Sequence, residues 1–143
     1  MTLSKYYTYA VIYPAVFAFI ISTLFSLIYG YGYDSEWLMA GDMVGTSIAA
    51  SLIYSTLIGV LSLTIFLNKY EMVRANLIWN ILAWFLLPGG FIAITLVQEV
   101  NYTITYESGF GSGIVFVLIQ TIPFIAGLIY TFIRYRLSTI YAE

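Results

Sequence analysis

Four long apolar stretches restrict the folds open to this chain more than any other feature of its sequence. They run from about Tyr9 to Tyr29, Met43 to Leu67, Ala75 to Val97 and Gly113 to Ile133, and none contains an internal Asp, Glu, Lys or Arg. A helix needs about 20 apolar residues to cross roughly 30 Å of hydrocarbon. The sequence therefore predicts an all-α membrane protein, in which residues 1–143 form one domain of four transmembrane helices in an up-down bundle.

The composition excludes several other classes of protein. Only 8% of the 143 residues are charged, whereas soluble domains carry about 25% and disordered chains need low hydrophobicity with high net charge. The chain has no cysteine and no histidine, which removes disulfides, thiol chemistry and the usual zinc ligands. It also lacks the basic runs that bind nucleic acid. We expect no enzymatic activity, no cofactor and no metal.

The basic residues predict the orientation, because cytoplasmic loops of membrane proteins are enriched in Lys and Arg. Lys5 precedes the first stretch, Lys69 and Arg74 separate the second from the third, and Arg134 and Arg136 follow the fourth. The two remaining loops, 30–42 and 98–112, contain no basic residue. Both termini are therefore expected in the cytoplasm. The expected location is a bacterial inner (plasma) membrane, crossed in several passes.

Small residues at every fourth position predict how the helices pack, since close approach of backbones drives association in lipid. The first stretch has such a line through Ala18, Ser22 and Ser26, and the second through Ser51, Ser55 and Gly59. We expect these two lines to meet. The amides of Asn76, Asn80 and Gln120 are expected to form hydrogen bonds between helices. The sequence leaves open whether the lines pack within one chain or between chains.

The third stretch contains Pro88, Gly89 and Gly90 near its midpoint. Proline removes a helical hydrogen bond and clashes with the preceding turn, and glycine adds backbone freedom. We therefore predict a kink or a local break at these residues. Two interpretations remain open: a functional hinge of the kind found in discontinuous transporter helices, and a bend that only improves packing.

The two outer loops are purely acidic on this topology, and they are rich in aromatic residues. Glu99 is predicted at the C-terminal end of the third helix, where the helix dipole disfavours a negative charge. Four things would compensate it: a neighbouring helix N-terminus, a cation, a basic group of a partner, or protonation. The predicted partner-binding residues are Asp34, Glu36, Trp37, Glu99, Tyr102, Tyr106 and Glu107.

Residues 101–106 alternate with period two, which indicates a short β-strand. An irregular loop whose tyrosines lie among the lipid headgroups is the alternative.

These features favour a non-enzymatic protein that binds a partner within or at the outer face of the membrane. It would be a small subunit of a membrane complex, or an immunity or regulatory protein. The expected partners are the lipid bilayer and either another membrane protein or a basic external protein, with no nucleic acid; a homo-oligomer is a further expectation. The alternative is an oligomeric channel or transport component that uses the interrupted third helix.

Overall fold

The computed structural model describes residues 2–30, 40–105 and 112–140, and the side chains of 2–28, 44–105 and 113–139 within them. In these ranges every regular element is a helix. Four helices are long and apolar enough to cross a membrane: Leu3–Ile28, Val44–Lys69, Leu77–Thr105 and Gly113–Thr139. We call these the first to fourth spans. For the described residues, the prediction of an all-helical fold with four helices long and apolar enough to span a membrane is confirmed.

The spans are built from more than one type of helix. The elements are α1 (Leu3–Tyr7), a π-helix (Thr8–Ile12), α2 (Tyr13–Gly30), α3 (Ala40–Leu61), a 3₁₀-helix (Ser62–Lys69), α4 (Glu71–Ala75), α5 (Leu77–Thr105) and α6 (Ser112–Ile140). The first span packs against the second and the fourth, and the third span packs against the same two. Among the most deeply buried side chains are Trp84, Phe124, Ile58, Ile65 and Leu128.

The third span extends further than its apolar stretch indicates, and both interpretations of residues 101–106, the short β-strand and the irregular loop, are wrong where the structure describes them. Residues 101–105 continue α5, and residue 106 lies outside the described residues. Thr103 Oγ1 donates to the carbonyl of Glu99 at 2.9 Å, and Thr105 Oγ1 donates to that of Asn101 at 2.8 Å. A helix pairs its own backbone groups within one segment, whereas a lone strand needs a neighbouring strand or water to pair them. In this segment, the pairing of backbone groups within the helix outweighs the period-two alternation of residues 101–106.

The other end of α5 also differs from the prediction. Asn76 lies immediately before the helix rather than inside the span, and its Oδ1 accepts hydrogen bonds from the backbone N–H groups of Ile78 (2.9 Å) and Trp79 (3.5 Å). Asparagine is among the residues that best cap a helix N-terminus in this way. The side-chain oxygen of Asn76 therefore forms hydrogen bonds with its own helix.

The structure excludes a break at the predicted hinge residues Pro88, Gly89 and Gly90. The α5 helix runs continuously through them, and Pro88 is buried. The kink remains a prediction. An added Cβ at Gly89 or Gly90 would have no heavy atom within 4 Å, so packing within this chain does not require glycine at either position.

Gly127 allows the fourth span to approach the backbone of the first very closely. A Cβ at Gly127 would lie 2.5 Å from Pro14 Cγ and 3.1 Å from the carbonyl oxygen of Ala10. Pro14 has no N–H to donate to that carbonyl. In the adjoining π-helix, the N–H of Tyr13 donates to the carbonyl of Thr8. The two spans thus meet where Pro14 alters the helical hydrogen bonds, and only glycine fits there without displacing backbone.

We predict that Gly127→Ala lowers the free energy of unfolding by about 1–3 kcal/mol, the usual cost of overpacking. The proline ring and the backbone carbonyl cannot move aside cheaply. The control is Gly89→Ala, which should be neutral or stabilise by roughly 0.5–1 kcal/mol through reduced backbone freedom. Unfolding in mixed micelles measures both, and equal effects of the two variants would contradict the close approach.

Candidate functional site

A chain of hydrogen bonds joins three spans inside the bundle, and its central group is the hydroxyl of Ser51. Gln120 Nε2 of the fourth span donates to Ser51 Oγ of the second. Ser51 Oγ lies 2.8 Å from Ser22 Oγ of the first span, and Ser22 Oγ donates to the carbonyl of Phe19 at 3.0 Å. Because each hydroxyl has a single proton, Gln120 Nε2 donates to Ser51, Ser51 donates to Ser22, and Ser22 donates to the carbonyl of Phe19. We call Ser22, Ser51 and Gln120 the central cluster.

A second contact lies beside the central cluster and joins the second and fourth spans again. Tyr54 OH and Thr121 Oγ1 are 2.8 Å apart, and both residues are buried. The ring of Tyr54 also contacts Phe91 of the third span, with a centroid separation of 5.4 Å. Hydrogen bonds between membrane helices contribute about 0.6–2 kcal/mol each. Together these contacts connect all four spans.

The residues predicted to pack the helices occupy different environments. Ser22 and Ser51 are bonded to each other, while Ser26 is buried and donates to the carbonyl of Ser22 at 2.9 Å. Ala18 is fully buried. The hydroxyl of Ser55 is buried without a hydrogen-bond partner. At Gly59 the carbonyl accepts a hydrogen bond of 2.8 Å from Tyr7 OH, which ties the first span to the second.

The pairing of Gln120 with Ser51 goes beyond what the sequence predicts. The sequence indicates an interhelical hydrogen-bonding amide at Gln120, but it does not encode the register between two spans that are distant along the chain. Only one of the two polar side-chain atoms of Gln120 has a hydrogen-bond partner, because its Oε1 is buried without one.

The structure collects the basic residues of the chain at one end of the bundle. Tyr6 OH, next to Lys5, lies 2.8 Å from Ser138 Oγ. Arg136 Nη1 donates to the carbonyl of Arg74 at 3.4 Å. We call this the basic end, defined by Lys5, Lys69, Arg74, Arg134 and Arg136. The only acid among the described residues here is Glu71, which is exposed.

Glu99 lies at the opposite end of the bundle, beside the start of the fourth span. Its Oε2 would be 2.7 Å from a Cβ placed on Gly113, the second residue of α6. The first turn of a helix has unpaired N–H groups and a positive partial charge. A neighbouring helix N-terminus was the first of the four compensating groups considered for Glu99, and the fold puts one there. The longer α5 also places Glu99 before the helix end rather than at it.

The remaining predicted partner-binding residues are described only in part. Tyr102 is 59% exposed near the end of α5. Asp34, Glu36, Trp37, Tyr106 and Glu107 lie outside the described residues. We call the end that carries Glu99 and Tyr102 the acidic end.

The chemistry open to the described interior is hydrogen bonding between neutral groups. Its buried polar residues are serine, threonine, asparagine and glutamine. No group of three metal-ligating side chains occurs among the residues that the structure describes.

No protein-family model, curated protein or solved structure matches the chain. Its function must therefore be inferred from its own residues.

We predict that Ser51→Ala lowers the free energy of unfolding by about 1–2 kcal/mol, because it leaves both the Gln120 amide and the Ser22 hydroxyl without their shared partner. Gln120→Leu should cost less than about 0.5 kcal/mol or stabilise, since it also removes an oxygen that is already unpaired. Thr56→Ala, on an exposed face of the same span, is the control and should have little effect. Unfolding in detergent measures all three, and a larger loss for Gln120→Leu than for Ser51→Ala would contradict the role of Ser51 as the shared hydrogen-bond partner.

Proposed function

We propose that this chain is a non-enzymatic, multi-pass membrane protein that binds a basic partner protein at its acidic end, outside the cytoplasm. The observation that carries the proposal is the separation of charge. The five basic residues lie together at one end of the bundle, and Glu99 lies at the other. By the positive-inside rule the basic end is cytoplasmic, with both termini. A bacterial inner membrane is the location we propose.

The interior of the bundle favours binding over transport or catalysis. The central cluster is neutral, and each of its three residues bonds across spans. Proton relays and ion paths in membrane proteins are usually lined by ionisable residues. With a neutral interior, selective recognition of another molecule is left to the two ends and the lipid-facing surface.

At the acidic end, acids other than Glu99 are the main candidates for binding the partner. The Glu99 carboxylate already lies against the N-terminal turn of α6. Of the other four acids, Asp42 lies in the first turn of α3, where the helix dipole favours a carboxylate. Asp34, Glu36 and Glu107 remain, and no basic residue occurs in the loops that contain them. A basic partner would neutralise them, and charges at the rim of an interface chiefly raise the association rate and fix the register. Tyr102 adds exposed aromatic surface, a residue type enriched in protein interfaces.

Two forms of this function fit: a small subunit of a larger membrane complex, and an immunity or regulatory protein that restrains a membrane-active partner. Both require an external or membrane-embedded partner in defined stoichiometry. Both also need little soluble mass, which agrees with a chain composed mostly of its four spans.

An oligomeric channel or transport component is the second candidate, and the surroundings of Gly89 and Gly90 favour it. Neither glycine has a neighbour that would obstruct a side chain. Small residues facing away from the bundle allow a helix of another copy to approach closely. Conductance of purified protein in liposomes separates the candidates, because a binding protein without a pore gives none.

We predict that a photo-crosslinking amino acid at Tyr102 captures one partner of defined mass in native membranes. The same amino acid at Met72, which is 78% exposed near the basic end, is the control and should not capture it. Neutralising three acids together (Asp34→Asn, Glu36→Gln, Glu107→Gln) should reduce the yield several-fold at low salt and less at high salt. Capture at both positions, or an adduct with the mass of two copies of this chain, would contradict a basic external partner.

A further inference from the structure

A small cavity lies at the basic end, between the first and fourth spans. Its volume is about 110 Å³, and it is lined by Tyr6, Tyr9, Tyr130, Thr131 and Arg134. This is the space of roughly three to four liquid waters, which suits a compact ligand group rather than an extended one. The rings of Tyr9 and Tyr130 are 45% and 59% exposed, so the cavity has an aromatic rim at the surface of the bundle.

Thr131 supplies a buried hydroxyl without a partner. The residue is 2% exposed, and its Oγ1 has no hydrogen bond. Other threonines in these helices bond to the carbonyl four residues earlier, among them Thr23, Thr95, Thr103 and Thr139. Thr131 departs from that pattern, and it lines this cavity. A buried hydroxyl normally has a partner. Because Thr131 Oγ1 has less than 1 Å² of accessible surface, a ligand group in the cavity reaches it only after the side chain rotates about its Cα–Cβ bond.

Arg134 gives the cavity its charge. It is the only ionised residue in the lining and lies one helical turn beyond Thr131, on the same face of the fourth span. Its guanidinium carbon is 5.8 Å from the centroid of the Tyr130 ring, and it makes no ion pair with any residue that the structure describes. A guanidinium presents planar, paired donors that match a phosphate. The lining thus combines a cation with hydroxyl donors and contains no carboxylate.

We propose that this cavity binds a phosphate oxyanion, with Arg134 and Thr131 as the binding residues and the tyrosine rings around it. Arg134 lies about 7.5 Å from the end of the span at Thr139, at a rise of 1.5 Å per residue, a depth that lipid headgroups reach. Basic pockets between membrane helices bind anionic headgroups. The source of the phosphate is an anionic phospholipid or free inorganic phosphate. The site is at the opposite end from the proposed partner surface and does not depend on it.

Native mass spectrometry of the detergent-purified chain tests the site, with phosphatidylglycerol as the probe and phosphatidylcholine as the zwitterionic comparison. We expect a single phosphatidylglycerol to bind at least several-fold more tightly than phosphatidylcholine. Arg134→Gln should weaken it roughly 10- to 100-fold, the range for a charge-assisted contact. Thr131→Val, which keeps the side-chain shape, should weaken it roughly two- to tenfold. Arg136→Gln, at the same end but outside the cavity, should change it less than twofold.

A separate arm of the experiment identifies the source of the phosphate. Competition by millimolar inorganic phosphate supports a site for the free anion, whereas tight phosphatidylglycerol binding without competition supports a lipid site. Equal losses for Arg134→Gln and Arg136→Gln would show only diffuse attraction to the basic end and overturn the proposal. So would equal binding of the two lipids together with no competition by inorganic phosphate. Thermal unfolding of each variant shows whether it is folded, and Thr131→Val tests the site should Arg134→Gln prove unstable.

Discussion

The hydrocarbon core of a membrane offers no hydrogen-bond partners, so a chain that crosses it must pair its polar groups internally. In this chain the groups that pair across spans are neutral. Ser51 accepts a hydrogen bond from the amide of Gln120 and donates one to Ser22, so one hydroxyl joins three spans. The charged residues lie outside this interior, at the two ends of the bundle.

The same constraint explains where the helices approach most closely. Apolar side chains gain little by leaving lipid for one another, so the spans associate through close packing and a few hydrogen bonds. Gly127 permits such packing against Pro14, and the carbonyl of Gly59 accepts the hydroxyl of Tyr7. Both contacts involve the first span, which therefore depends on its neighbours through backbone groups as well as side chains.

The sequence predicted the four spans well, because span length and hydropathy are set by the bilayer. Helix ends were predicted less well: α5 continues through Thr105, since residues at the membrane surface still gain by pairing their backbone within a helix. For this reason the period-two alternation of residues 101–106 indicated a β-strand where the chain forms a helix. The contacts of Gln120 with Ser51 and of Glu99 with the start of α6 could not be predicted, because spacing along one sequence does not fix the register between distant helices. Of the candidate sites, the sequence indicated the acidic residues of the loops 30–42 and 98–112 but not the cavity at Arg134, whose lining comes from the first and fourth spans together.

The central claim is that the basic end faces the cytoplasm and the acidic end faces outward. The chain has no cysteine, so single cysteines at Lys69 and Glu107 are unique labels for the two ends. A membrane-impermeant maleimide applied to intact cells should label position 107 and leave position 69 unlabelled until the membrane is permeabilised. Labelling of position 69 from outside, with position 107 protected, would contradict the account.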